Sequence, residues 1–198
     1  MDFNIKKDWY DSRCLLYKKN KITINPGVTV LVGKNGIGKT TLLMQIEQSL
    51  KKQKVPYLTY NELTDGRESM QRALDAQNTQ FLVTLYLSSE GQKIYHNLGQ
   101  FAEKVGRFIS KHRNETVFVL FDAIDSGLSI DNIAEVKDFF DLVIKDNPDV
   151  YIIVSANSYE MANGSSCFDV QNCKYCTFKD YNDYRTFILN QKSLKGNK

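Results

Sequence analysis

The sequence has few of the features that mark membrane-bound, secreted or fibrous proteins. Its 198 residues include only three prolines and one tryptophan, and no apolar run approaches the roughly 20 residues of a membrane-spanning helix. Residues 1–5 (MDFNI) lack the basic start and the apolar stretch of a signal peptide. The net charge of +3 is too small to indicate nucleic-acid binding by itself. These absences predict a cytoplasmic protein without a membrane partner, in which nucleic-acid binding has no support.

The sequence is also poor in metal-ligand patterns. Cys173 and Cys176 form a C-x-x-C with Cys167 six residues earlier, but Cys14 is remote and both histidines fall in a different predicted region. A structural zinc ion needs four ligands, and these three neighbouring cysteines lack a fourth. We interpret these cysteines as incidental residues of a reducing compartment, with a metal or redox function as the alternative.

The order of predicted elements indicates an α/β fold in one domain, residues 1–198. Strands are predicted at 11–17, 21–24, 28–32, 55–60, 117–121 and 150–154, with final edge strands at 168–170 and 175–178. The basic run 18–21 is predicted to be the hairpin turn between the first two strands. Residues 67–113 are predicted to be mostly helical, with a break at 88–91. A further helix with Asp131 as its N-cap ends near 147–148, and a closing helix spans 180–194.

One motif is complete. Residues 33–41 (GKNGIGKTT) match G-x-x-x-x-G-K-[ST], directly after the β-branched run 28–32 and before apolar residues at helical spacing. Glycines let backbone N–H groups converge on phosphate oxygens, and the helix that follows adds its positive dipole end. Lys39 is expected to reach the terminal phosphates of ATP, and the Thr40 hydroxyl to ligate Mg²⁺. The predicted nucleotide ligands in this loop are Gly33, Asn35, Gly36, Gly38, Lys39, Thr40 and Thr41.

A second candidate residue, Asp122, ends the apolar run 117–121. Ligands of open α/β sheets bind at the carboxyl ends of the strands, where Asp122 is expected to lie. A carboxylate there can hold Mg²⁺ beside Thr40. The alternative is an aspartate that only caps a turn.

The chain resembles the ABC-type ATPase superfamily, in the wide sense that includes SMC and RecF-like heads. Residues 33–41 are similar to the family's G-x-N-G-x-G-K-[ST]-T, and Asp122 matches its second nucleotide motif. Residues 126–129 (SGLS) resemble the D-loop. Residues 89–92 (SEGQ) resemble the signature S-G-G-Q, with Glu90 in place of the first glycine. The resemblance implies a P-loop NTPase fold, which is a mainly parallel sheet flanked by helices. It also implies an N-terminal antiparallel β subregion and a small helical subregion, about 67–113, that carries the signature.

The resemblance also implies a mechanism. Such heads dimerise head-to-tail around ATP, so that Ser89 and Gly91 of one copy would face the γ-phosphate bound by the other copy. A helix N-terminus offers unpaired N–H donors and positive potential to that phosphate. ADP lacks the γ-phosphate, so the dimer would close with ATP and open after hydrolysis.

Three positions depart from the family pattern. Ala123 stands where a glutamate usually acts as the general base, and alanine cannot accept a proton. Asp125 is the nearest spare carboxylate for that role, and Asn157 stands where a histidine usually contacts the γ-phosphate. The glutamine after the second strand is replaced by Asn61 or Glu62. We therefore expect slow turnover, on the order of 1 s⁻¹ or below.

The short spacing between Thr41 and Ser88 leaves no room for the coiled coil of SMC-like proteins. The resemblance is to small stand-alone ATPases of bacterial, prophage and phage genomes. Two alternatives stay open. A small P-loop kinase fits the length, although the region after the signature offers only Arg107 and Arg113 to a lid. A non-hydrolysing regulatory module that binds ATP and an unidentified protein fits Ala123.

Overall fold

The structure is a computed structural model that describes residues 1–9, 14–61, 90–192 and 194–195. Its elements in chain order are β1 Asp2–Asn4, β2 Cys14–Leu15, β3 Lys21–Thr23, β4 Gly27–Val32, α1 Lys39–Gln53, β5 Tyr57–Asn61, α2 Glu90–Lys111, β6 Val117–Asp122, α3 Ile130–Lys145, β7 Val150–Ser155, α4 Tyr159–Ala162, β8 Cys167–Asp169, β9 Lys174–Cys176, α5 Tyr181–Asn190 and β10 Leu194–Lys195. Within these ranges, no helix is long and apolar enough to cross a membrane.

The central sheet has six strands in the order β5-β6-β7-β4-β8-β9. The first five are parallel and β9 runs antiparallel to β8. Strand β7 lies between β4, which leads into the glycine-rich loop, and β6, which ends at Asp122. In this register Asn61 pairs with Asp122, and Asp122 pairs with Ser155. The strand order therefore brings polar residues from distant parts of the sequence into one row at the carboxyl edge.

The strands of the sheet centre are apolar on both faces because helices cover both. Val119 and Phe121 of β6 face a cluster with α2, α3 and α5, whereas Phe118 and Leu120 face a cluster with α1 and the N-terminal strands. The alternation follows the two-residue period of a strand, and a continuous apolar run is what burial on both faces requires. Full burial of each such side chain stabilises the fold by roughly 2 kcal/mol.

The helices follow the predicted periodicity. The buried residues of α1 include Leu42, Leu43, Ile46 and Leu50, and the last turn carries Lys51 and Lys52 beside its negative dipole end. In α2, Phe101 and Val105 are buried, and Phe108 and Ile109 pack against the same cluster. Of the predicted helix break at 88–91, Glu90 and Gly91 are helical, as the first residues of α2. Residues 67–89 of the predicted helical region lie outside the described residues.

Three local predictions are wrong. The basic run 18–21 is not a hairpin turn, since β2 pairs with β10 and β3 pairs with β1. The backbone of this run is bonded elsewhere: Lys18 N donates to Gln171 O, and Ile5 N donates to Asn20 O. Local sequence could not reveal these distant partners. The small antiparallel N-terminal sheet therefore consists of β1 and β3.

The helix after β6 begins at Ile130 with Ser129 in the N-cap position, so Asp131 is not the cap. Asp131 lies in the first turn, where a carboxylate is favoured by the helix dipole without capping the helix. Strand β8 is also not an edge strand, because it pairs with both β4 and β9. Only β9 of these two final strands lies at the edge.

Candidate nucleotide-binding site

A cavity of about 370 Å³ opens at the carboxyl edge of the sheet, around the glycine-rich loop. Most of its lining consists of residues that the sequence predicted to bind nucleotide. The lining residues are Leu16, Asn35, Gly36, Gly38, Lys39, Thr40, Thr41, Ala123, Ser155 and Asn157. The structure therefore brings six of the seven predicted phosphate-loop residues and Asn157 together in one pocket, whereas Gly33 and Asp122 do not line it.

A larger cavity of about 660 Å³ lies at the opposite edge of the sheet, between the last residues of α2 and α3. Its lining includes Glu115, Asp146 and Asp149, together with Arg113. The C-terminal ends of helices carry negative partial charge, and these carboxylates add to it. A phosphate ligand is disfavoured there, so the cavity at the carboxyl edge is the candidate site.

The loop begins α1 without a capping side chain. Gly38 is the N-cap residue, with φ 106°, a left-handed conformation in which an L side chain is strained. A Cβ at this position would lie 3.2 Å from Tyr17 Oη, which itself donates a hydrogen bond to Gly38 O at 2.9 Å. The first turn of α1 also contains no acidic residue. Its free N–H groups and positive dipole end are therefore directed at the pocket without an internal anion.

Lys39 is buried at the base of the loop. Its Nζ donates to Gly33 O at 2.7 Å and contacts Lys34 O at 3.4 Å. Burial lowers the pKa of Lys39, while the negative charges of Asp125 and Asp122 act in the opposite direction. Among the described residues, the hydrogen-bond acceptors of this buried cation are carbonyl oxygens, and phosphate oxygens would be stronger partners.

Thr40, which lines the pocket, is hydrogen-bonded to Asp122 beside it. Thr40 Oγ1 donates to Asp122 Oδ1 at 3.0 Å, and Asn61 Nδ2 donates to Asp122 Oδ2 at 3.2 Å. Hydroxyl and carboxylate oxygens at one point are the donors that Mg²⁺ prefers. The residues present therefore fit a magnesium ion held by Thr40 and Asp122 beside the terminal phosphates.

Ala123 and Asn157 also line the pocket. Ala123 has φ 54°, and its N–H donates to Ser155 Oγ at 3.4 Å, which fixes the turn after β6. The backbone of Asn157 is held on two sides, since its N–H donates to Asp125 Oδ2 at 2.7 Å and its carbonyl accepts from Tyr184 Oη at 2.9 Å. Asn157 itself is exposed to the pocket. Ala123, which stands where the ABC-type pattern has a glutamate base, therefore presents a methyl group to the pocket.

Asp125 is not among the residues that line the pocket. The side chain is buried, and Oδ2 accepts hydrogen bonds from the N–H groups of Asn157 and Ser158, at 2.7 and 2.5 Å. Its other oxygen, Oδ1, is buried without a hydrogen-bond partner among the described residues. These hydrogen bonds stabilise the turn at 157–158. A role of Asp125 as a base stays a prediction.

Only residues 90–92 of the signature candidate at 89–92 lie within the described residues. Ser89 lies outside the described residues, and Gly91 lies in the first turn of α2. The D-loop candidate 126–129 connects β6 to α3, with Gly127 at φ 80°. The assignment of the signature therefore stays a prediction.

Cys167, Cys173 and Cys176 do not line the pocket. Cys167 and Cys176 are direct partners across β8 and β9. Burial raises the pKa of Cys167 to about 12 and that of Cys176 to about 11, so both are protonated thiols at neutral pH. In the described part of the chain, no three histidine, cysteine or acidic residues are grouped as metal ligands.

Leu16, Tyr17, Ser155 and Gln191 contribute to the site region but were missed from the sequence. The row at the carboxyl edge offered a signal for Ser155, because it directly follows the predicted strand 150–154. The other three had none, since their contacts with the loop depend on tertiary structure.

Comparison with known proteins bears on the family and the fold. Residues 23–160 match the family model described as AAA domain, which covers well over half of the chain. A curated Arabidopsis thaliana protein, whose name refers to disease resistance, is 30% identical over 102 residues. The match covers 49% of this chain and 8% of that relative, so the chain spans less than a tenth of the relative's length.

Two solved ABC-transporter ATPases are similar in structure. CbiO1 of Clostridium perfringens, part of the transporter complex cbiONQ, has a TM-score of 0.53 and 12% identity, over 89% of this chain and 86% of that one. MJ1267, an ATP-binding cassette of an ABC transporter in its ADP conformation, has a TM-score of 0.51 and 13% identity, over 96% and 94%. At such identities the likeness concerns the fold. The chain belongs to the AAA domain family and has a P-loop ATPase fold.

Proposed function

We propose that this protein is an ATP-binding, Mg²⁺-dependent ATPase head that dimerises around nucleotide and acts as a slow ATPase or switch. The observation that carries the proposal is the convergence of Lys39 with the Thr40–Asp122 pair at the open N-terminus of α1. A buried cation, a pair of oxygen donors and free backbone N–H groups suit a triphosphate with its magnesium ion.

The same site supports slow hydrolysis. Ala123 cannot take a proton from water, and Asp125 does not line the pocket, while its Oδ2 accepts from the backbone N–H groups of Asn157 and Ser158. Lys39, Thr40 and Asp122 provide charge stabilisation without a base, and such positioning alone gives part of the catalysis of phosphoryl transfer. We expect turnover on the order of 1 s⁻¹ or below.

Dimerisation follows from the signature candidate at 89–92. The described part of helix α2 begins at Glu90, and none of its residues lines the pocket of the same chain. The N–H groups of a helix N-terminus are donors without partners inside the helix. In the proposed head-to-tail dimer, these donors bind the γ-phosphate held by a second copy. The presence of ATP or ADP would then set the oligomeric state.

Ala123 favours one further candidate function. A head that binds ATP and dimerises without hydrolysis would act as a regulatory module, with an unidentified protein as its partner. Such a module needs the phosphate loop and the signature but no base, which agrees with the methyl group at this position.

The test combines oligomeric state with phosphate release. Sedimentation or light scattering is performed without nucleotide, with ADP and with a non-hydrolysable ATP analogue, and phosphate release is measured in parallel. ATP-dependent dimers with slow release support the ATPase head, and dimers without release support the regulatory module. A monomer under all three conditions contradicts both. Ser89→Arg is expected to leave nucleotide binding intact and to abolish the dimer, and persisting dimers would refute the signature assignment.

A further inference from the structure

Gln191, the first residue after α5, is 7% exposed and reaches the phosphate loop from the far end of the chain. Lys34 N–H donates to Gln191 Oε1 at 2.8 Å, although 157 positions separate the two residues. Gln191 Nε2 in turn donates to Asp169 Oδ1 at 3.4 Å. The segment around Gln191 is itself fixed, because Lys192 O accepts a hydrogen bond from Gln171 Nε2.

The N–H group that binds Gln191 belongs to the same peptide group whose carbonyl binds Lys39. The carbonyl of the Gly33–Lys34 peptide accepts from Lys39 Nζ at 2.7 Å, while its N–H donates to Gln191. This one peptide plane is therefore held from both sides. A hydrogen bond at the N–H end also polarises the carbonyl, which strengthens its hold on the lysine.

The orientation of the Gln191 amide is determined by both of its neighbours. Asp169 is 2% exposed and its carboxylate needs donors, so the amide nitrogen faces it. Lys34 N–H needs an acceptor, so the amide oxygen faces the loop. Asp169 pairs with Val32 in the register of β8 and β4. The chain of contacts thus runs from the sheet, through Gln191, to the first peptide of the loop.

Gly33 makes this close approach feasible. Its φ is 150°, and a Cβ on it would lie 3.1 Å from Gln191 Oε1 and 2.8 Å from Ile37 Cγ2. A side chain at Gly33 would therefore displace either the loop or the glutamine. The first glycine of the motif gives Gln191 access to the adjacent N–H group, besides allowing the backbone turn.

We propose that Gln191 is a positioning residue of the nucleotide site: it fixes the plane of the Gly33–Lys34 peptide, and through it the resting position of Lys39. The inference depends on the proposed nucleotide binding. The side chain does not line the pocket and so acts on the nucleotide through the loop. Its removal lets that peptide rotate, and the loop must then be ordered at the expense of binding free energy.

The experiment compares Gln191→Met and Gln191→Ala with a matched control, Gln45→Ala. Gln45 is also buried, at 5% exposed, and its side chain also makes two hydrogen bonds, both with the backbone of Lys6: Lys6 N–H donates to Gln45 Oε1 at 2.6 Å, and Gln45 Nε2 donates to Lys6 O at 3.2 Å. It lies on the side of α1 that faces the N-terminal strands. Gln191→Met nearly retains the volume and removes both hydrogen bonds, which separates hydrogen bonding from packing.

The measurements are the Kd for MgADP and a non-hydrolysable ATP analogue by calorimetry, with the melting temperature of each variant. Both Gln191 variants are expected to raise Kd about tenfold, with kcat at saturating ATP changed less than about twofold. Gln45→Ala is expected to lower the melting temperature without changing Kd.

Two outcomes overturn the inference alone: wild-type affinity in Gln191→Met, or rapid hydrogen exchange of the Lys34 amide in the nucleotide-free wild-type protein. The second needs no variant and so does not depend on the folding of one. A wild-type protein that binds neither nucleotide contradicts the proposed function itself, and this inference with it. The two failures are thereby distinguishable.

Discussion

The N-termini of α1 and α5 show opposite ways to begin a helix. Helix α5 begins after Asp180, whose side chain accepts from Asp183 N, and Asp183 adds a second carboxylate in the first turn. Helix α1 begins after Gly38, which has no side chain, and its first turn is KTTL. One helix neutralises its own positive end with carboxylates, and the other leaves that end open to the pocket.

The difference shows where local stability is given up for binding. A capping side chain stabilises a helix by about 1 kcal/mol, and α1 forgoes it while also burying a lysine. Helices α3 and α4 also carry a carboxylate in the first turn, Asp131 and Glu160. The side chain of Ser158 caps α4, whereas that of Ser129 makes no cap hydrogen bond to α3. Of these four helices, α1 alone has no acidic residue in its first turn, and it follows the glycine-rich loop, as expected if an external anion takes the place of that carboxylate.

The strongest test of this comparison is Lys39→Ala. Removal of the buried cation is expected to weaken nucleotide binding by more than about 100-fold, because a charge-assisted contact to phosphate is lost. Binding is measured by calorimetry with MgADP. Lys137→Ala is the matched control, since Lys137 Nζ also binds backbone carbonyls, those of Glu160 and Asn163, but far from the loop. Equal affinity in Lys39→Ala would refute the site.

Asp122→Asn is expected to have the next largest effect. The amide keeps the shape but loses the charge that would hold Mg²⁺ beside Thr40, so ATP turnover should fall roughly 100-fold and respond weakly to added Mg²⁺. Phosphate release across a magnesium titration measures this. Asp138→Asn, an exposed change on α3, is the control. A wild-type magnesium response in Asp122→Asn would remove Asp122 from the metal site.

Ala123→Glu is expected to accelerate hydrolysis, by at least about tenfold, because it supplies a base at the pocket wall. The backbone at this position is left-handed, with φ 54°, but alanine already bears a Cβ there, so glutamate adds little strain. Single-turnover phosphate release measures the change. Ala123→Gln is the control, with the same length and no basic group. Equal rates in both variants would argue that another group already serves as the base.

The smallest effect is expected for Asp180→Ala. Loss of the cap of α5 should lower the free energy of unfolding by about 1 kcal/mol, without changing nucleotide affinity more than about twofold. Urea unfolding and calorimetry on the same preparation check both numbers. A large loss of affinity would show that this helix start is not purely structural and would weaken the contrast with α1.

The parts of the site that are contiguous in sequence could be predicted, and those assembled by topology could not. The loop at 33–41 lies in one stretch, and Asp122 ends an apolar run that a buried strand requires. The position of Asn61 beside Asp122 depends on the pairing of β5 with β6, which no local pattern encodes. The prediction of a hairpin turn at 18–21 was wrong for the same reason: β2 pairs with β10, which is distant in sequence. Gln191 had no signal, as its contact with Lys34 spans most of the chain.

Helix α5 touches the nucleotide site at both of its ends. Tyr184, near the start, donates to the carbonyl of Asn157, and Gln191, just past the end, accepts from Lys34. A shift of this helix would therefore displace two distant segments at once, the turn at 157–158 and the first peptide of the phosphate loop.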